Sequence, residues 1–194
     1  GCRRHAREQT DPKTLGPSGV LRSRLQRVFG RNLLADGIRF GRMKTSGNIR
    51  IRPATFGDEG KIARVHIQAW QEAYKGLVPQ DYLDNLPSKF EERQKMWTAV
   101  LKNPQRWAWV AESDEEILGF VLFGPPRDPN RDGYIELGAI YLLASEKNKG
   151  IGFSLLSAGF NRMKDLGYKK AYCWVLENNP TIRFYERSGA AFSG

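Results

Sequence analysis

YIELGAIYLLASEKNKGIGFSLLSAGFNRMKDL, residues Tyr134 to Leu166, decides how this chain folds. The apolar, β-branched and aromatic run from Tyr134 to Leu143 predicts a buried strand. A polar, glycine-containing turn follows from Ser145 to Gly152. Leu155, Leu156, Gly159, Phe160 and Met163 then recur at helical spacing up to Gly167, which is a helix stop. Strand, glycine turn and helix in this order make a place for an anion. The N–H groups of a helix's first turn have no partner within the helix and carry the positive end of its dipole. Gly150 and Gly152 let the backbone approach the anion, and Lys147 and Lys149 add charge. The turn is not a P-loop, because Lys149 precedes Gly150 and no Gly-Lys-Ser/Thr is formed. Nor is it a good dinucleotide fingerprint. Ser154 and Leu155 stand where a third glycine belongs, and no acidic residue ends the next strand at the required distance.

A second stretch lies near the C-terminal end: Glu177-Asn178-Asn179-Pro180-Thr181-Ile182-Arg183-Phe184-Tyr185-Glu186-Arg187-Ser188-Gly189-Ala190. Pro180 at a first-turn position marks a helix start. Together the two stretches resemble the GNAT superfamily of N-acetyltransferases. Lys147-Asn148-Lys149-Gly150-Ile151-Gly152 is similar to that family's Q/R-x-x-G-x-G/A signature, between its fourth strand and third helix. It departs at the first position, where Lys147 keeps the charge but not the fork of arginine. The family's other marker, N-x-x-A-x-x-F-Y-x-x-x-G-F, is matched at Asn178, Phe184, Tyr185 and Gly189. It is not matched at Thr181 or Ala190. Residues 48–190 carry the resemblance.

The resemblance implies an α/β (α+β) acyl-CoA N-acyltransferase fold: a mixed central sheet flanked by helices, with acetyl-CoA in the splay between the fourth and fifth strands. It implies an acetyl transfer to a primary amine by direct attack in a ternary complex, with no metal. The amides of Lys147, Asn148, Lys149, Gly150, Ile151 and Gly152 are then expected at the pyrophosphate. Ile140, Tyr141 and Leu142 are expected along the pantetheine, which pairs with them as an added strand. They would also supply the oxyanion N–H. Tyr185 is expected beside the CoA sulfur as general acid, since a phenol is protonated at neutral pH. Asn178 either binds the pantetheine or caps the next helix. Glu136, a carboxylate within an apolar strand, is the candidate base; the plainer reading is a charge at the exposed end of the strand. Trp70, Tyr74 and Tyr82, in the region matching the family's first helix and the loop after it, are candidates for the acceptor wall or simply core. The alternatives are a module that holds CoA without turnover, or a basic nucleic-acid binder.

Charge separates the chain into two parts. Residues 1–42 hold ten Arg/Lys against three Asp/Glu, and the remainder 21 against 18. Residues 1–47 are thus expected to be a basic leader, disordered or not native, with Met43 the expected natural start; one amphipathic helix around Leu21, Leu25 and Val28 fits within it. Residues 48–194 are expected to form the domain, ending short of the strands that family members usually add. The domain lacks an aromatic-basic pattern for nucleic acid. Two cysteines, Cys2 and Cys173, exclude a disulfide scaffold and suggest a reducing compartment such as the cytoplasm. Cys173 reads as a buried core thiol, and His66 as a surface or packing residue. The two histidines form no metal cluster, and no apolar run suits a membrane span. Dimerisation is common among members of the family and has no signature here; the acceptor is unreadable.

Overall fold

The computed structural model describes residues 24–29, 48–176 and 179–192. In chain order the strands are β1 (Arg24–Phe29), β2 (Arg50–Pro53), β3 (Trp107–Ser113), β4 (Glu116–Gly124), β5 (Ile135–Leu142), β6 (Ala171–Leu176) and β7 (Ala190–Phe192). The α-helices are α1 (Glu59–Ala73), α2 (Gln80–Asp84), α3 (Phe90–Lys102), α4 (Ile151–Asp165) and α5 (Ile182–Arg187). Single 3-10 turns occupy Leu86–Lys89 and Ala144–Glu146.

These strands form one sheet in the order β2-β3-β4-β5-β6-β1-β7. β2 to β5 pair antiparallel, β5 and β6 pair parallel, and β1 pairs antiparallel with β6 and β7. The β3–β4 hairpin turns at Asp114 and Glu115, both at positive φ (49° and 65°). That left-handed pair matches the twist of the flanking strands, although neither residue is glycine.

Helix α4 covers one face of the sheet. Its stripe of Ile151, Leu155, Leu156, Phe160 and Met163 is buried against Val121, Phe123, Ile135 and Leu137. Gly159 permits this close approach, because a Cβ there would lie 1.9 Å from the Phe123 ring. Helices α1 and α3 cover the other face, burying Ile62, Val65 and Trp97 against Val110, Phe120 and Leu122. A bulge interrupts the β4–β5 register at Leu122 and Phe123, so that pairing passes from Ala139 to Leu137. Leu137 and Ile140, three residues apart, consequently face the same α4 side.

The expectation that residues 1–47 stand outside the domain is corrected in part. Arg24–Phe29 is a strand inserted between β6 and β7, where a short amphipathic helix was expected. Leu25, Val28 and Phe29 fit either period over so short a run. The backbone edges of β6 and β7, which demand hydrogen-bond partners, decide for the strand. Cys173 is a buried core thiol, as expected. His66 lies wholly in the core and not at the surface.

Candidate active site

The sheet opens between its two parallel strands. β5 and β6 pair only at Ile135 with Ala171 and Glu136 with Tyr172, yet β5 runs on to Leu142 and β6 to Leu176. The N–H of Leu143 donates to the carbonyl of Leu118 at 3.0 Å, on the β4 side. Strand alternation therefore turns the backbone of Tyr141 to β4, and the backbone of Ile140 and Leu142 to the gap. The side chains divide the other way: Ile140 and Leu142 pack on the α4 side, and Tyr141 on the α1 and α3 side. Of the three residues expected along a pantetheine, two thus offer N–H and C=O to the opening, and the third is engaged by the sheet.

The start of α4 lies just beyond the end of β5. Gly150 takes φ 80° and Asn148 φ 62°, which turns the chain sharply into the helix. The first i to i−4 bond joins the N–H of Ser154 to the carbonyl of Gly150 at 3.1 Å. Among the described residues, no acceptor bonds the N–H groups of residues 148–152. Five successive donors at the N-terminus of a 15-residue helix are a cradle for phosphate oxygens. Lys149 reaches Glu146 at 3.1 Å, and Lys147 is exposed. Gly152 has a further use, because a Cβ there would meet the Phe184 ring at 3.1 Å. Its bare α-carbon seats α5 against α4. These residues fit acetyl-CoA: a phosphate cradle leads to an unpaired strand edge.

Phenols gather around Tyr141 of β5. Tyr185, on α5, is buried, and burial first, then Cys173 and Tyr74, lift its hydroxyl well above the ordinary range. Tyr141 is lifted likewise, by burial and then by Tyr74 and Tyr185. The Tyr74 and Tyr141 hydroxyls lie 3.2 Å apart. The Trp70 and Tyr74 rings meet tilted at 4.4 Å between centroids, with Tyr82 6.2 Å from Trp70. The three aromatics suggested for the acceptor wall are therefore assembled with Tyr141, though Trp70 is buried in the core. Asn178 lies outside the described residues. Its neighbour Asn179 accepts the N–H of Thr181 at 2.9 Å, and also its hydroxyl, and so shapes the entry to α5.

Glu136, expected as a base, lies at a small cavity lined also by Met96, Val100, Arg127 and Gly138. It is 2% exposed. One carboxylate oxygen accepts Nε of Arg127 at 2.9 Å and its terminal guanidinium nitrogen. The other accepts the Arg127 backbone N–H and the Tyr172 hydroxyl, each at 2.9 Å. A carboxylate has about four acceptor positions, and here all are filled. Glu136 therefore anchors the loop between β4 and β5. Sequence reading missed Arg127 and Tyr172, which lie 9 and 36 residues away from Glu136; nothing local marks such pairs. Burial, followed by Glu136, pushes the Tyr172 hydroxyl up to about 12.

A mixed sheet opened between parallel strands, with a helix N-terminus at its mouth, defines the acyl-CoA N-acyltransferase fold. A sequence model of the acetyltransferase (GNAT) family matches residues 67–190. The chain is 36% identical over 141 residues to the "Uncharacterized N-acetyltransferase YuaI" of Bacillus subtilis, covering 71% of this chain and 78% of that protein. It is 30% identical over 154 residues to the "Probable N-acetyltransferase Rv2775" of Mycobacterium tuberculosis, covering 78% and 84%. Among solved structures, the PaiA N-acetyltransferase of Thermoplasma acidophilum in complex with coenzyme A superposes with a TM-score of 0.61 at 22% identity, over 72% of this chain and 87% of that one. The chain belongs to the acetyltransferase (GNAT) family, and so to the acetyl-CoA-dependent N-acetyltransferases. Among the described residues, no group of His, Cys, Asp or Glu is arranged to hold a metal ion, and no helix is long and apolar enough to cross a membrane.

Proposed function

We propose that this protein transfers an acetyl group from acetyl-CoA to a primary amine, by direct attack within a ternary complex. The carrying observation is the gap between β5 and β6, lined by the backbone of Ile140 and Leu142 and ending at the amides of residues 148–152, which are unbonded among the described residues. In this reading the amides hold the pyrophosphate, and the β5 edge holds the pantetheine as an added strand. The N–H of Ile140 stabilises the oxyanion as the amine adds to the thioester carbonyl. Collapse breaks the carbon–sulfur bond, and the Tyr185 hydroxyl protonates the departing thiolate; the nitrogen releases its surplus proton to water, and Tyr185 regains one from water. No side-chain base is assigned, because every acceptor position of Glu136 is filled; the amine attacks in its neutral form.

The test is thermal melting with and without acetyl-CoA, joined to thiol release with a panel of amines. Ligand at about 100 times its dissociation constant adds roughly 2.7 kcal/mol to stability, and thiol release should depend on the amine. A cooperative melt unmoved by acetyl-CoA would overturn the proposal.

A further inference from the structure

Helix α3 turns the positions Phe90, Arg93, Trp97 and Val100 inward, at helical spacing. Three of the four are apolar and pack against α1 and the sheet. The fourth is an arginine. Arg93 is half-buried and, among the described residues, makes no hydrogen bond or ion pair. The charged side chains Arg52 and Arg127, at similar depth, each have a carboxylate. A guanidinium taken from water without an anion is costly, so an inward arginine without one calls for a ligand.

Among the described residues, Arg93 forms no ion pair with the groups around it. Its electrostatic neighbours are Tyr82, Tyr141, His66 and Glu92. Glu92 is exposed and forms no bond to it. His66 is wholly buried and held well below its ordinary range, first by burial and then by Arg93, so it stays neutral. The two tyrosines are lifted by burial and stay protonated. Burial pulls the Arg93 guanidinium itself downward, against the pull of Tyr82 and Tyr141. Tyr141 is also the residue between Ile140 and Leu142, whose backbones face the gap. Phe90, one turn before Arg93 on the same face of α3, packs on the cluster that holds Trp70, Tyr74, Tyr82 and Tyr141, so Arg93 lies beside the aromatics suggested for the acceptor wall.

We propose that Arg93 reads a carboxylate on the acceptor, so that the preferred acceptors are small primary amines bearing a carboxylate, not polyamines. The inference rests on the acetyltransferase reading above. It assigns to Arg93 the planar, two-donor recognition that suits a carboxylate, with Tyr82 and Tyr141 as the walls that exclude water.

The experiment compares amino acids, their amides and spermidine as acceptors, by thiol release, in the full chain. Wild-type protein should favour each amino acid over its amide by at least tenfold in kcat/KM, and spermidine should be a poor acceptor. Arg93→Gln should remove that preference, through a loss of about a hundredfold for the carboxylates. Its dissociation constant for acetyl-CoA should be unchanged. Equal or better use of amides or spermidine by wild type would overturn the inference while leaving acetyl transfer intact. So would acetyl-CoA binding without turnover of any carboxylate acceptor. Failure of acetyl-CoA to bind at all would bring down the acetyltransferase reading, and this inference with it. The wild-type comparison decides the matter even if Arg93→Gln does not fold.

Discussion

At the scale of single residues, the hydroxyl of Tyr185 has the properties of an acid that stays loaded. Burial lifts it well above the usual tyrosine range, so it remains protonated at neutral pH. Removing the hydroxyl in Tyr185→Phe should lower kcat by about a hundredfold and leave KM for acetyl-CoA nearly unchanged, as measured by steady-state thiol release. The wild-type kcat profile should show no descending limb below about pH 10. Arg52 offers a second test, of stability. It bonds Asp58 at 2.7 and 2.9 Å and Glu112 at 2.6 and 2.9 Å. Burial works to raise Asp58, but the Arg52 fork outweighs it and the carboxyl lies below its ordinary value; Glu112 is lowered by Arg52 directly. Both carboxylates are therefore more acidic folded than unfolded. Their contribution is full above about pH 4 and is lost as pH falls through the folded values. Arg52→Met should cost about 3 kcal/mol at pH 7, and the loss should shrink on acidification, as read from melting temperature against pH.

At the scale of elements, the phosphate cradle proposed at the N-terminus of α4 is positioned by the packing of the helix's middle on the sheet. Gly159 faces the Phe123 ring across that contact. Alanine in place of glycine normally strengthens a helix by about 1 kcal/mol. Here the added methyl has no room, so Gly159→Ala should destabilise by about 1–3 kcal/mol. A chemical-denaturation midpoint reads the sign directly: a rise would contradict the close packing. Acetyl-CoA affinity should fall as well, since a tilted α4 carries residues 148–152 away from the end of β5.

The whole molecule depends on a strand from far upstream. β1 separates β6 from β7, pairing with Ala171 to Leu176 on one side and Ala190 to Phe192 on the other. A chain beginning at Met43 lacks it, and both neighbours then expose unpaired edges. Such a chain should melt at least 5 °C lower, equivalent to roughly 2 kcal/mol for a protein of this size. It should also aggregate at lower concentration, as light scattering would detect. An equal melting temperature for the two chains would show β1 to be dispensable. Because β6 forms one wall of the gap, loss of β1 should also weaken acetyl-CoA binding.

The elements at the gap and at its mouth are legible in the local sequence. Tyr134 to Leu166 is locally consistent: β-branched and aromatic residues make β5, Gly150 makes the turn, and the apolar stripe makes α4. Gly150 and Gly152, with Phe184 and Tyr185 further on, are legible because backbone geometry and close approach restrict which residues fit. Other features depend on contacts between distant segments and emerge only when the chain is folded. Glu136 reads as an odd charge in a strand; its role as an anchor emerges when Arg127 and Tyr172 fill its acceptor positions. Arg93 reads as one polar residue on a helix, and that it has no ion-pair partner among the described residues appears only once α3 is docked. Arg24–Phe29 has too few residues to fix its own period. It becomes a strand because β6 and β7 leave backbone donors and acceptors that need pairing. Hydrophobic periodicity is a local property of the chain, whereas burial, pairing and charge compensation are properties of the fold.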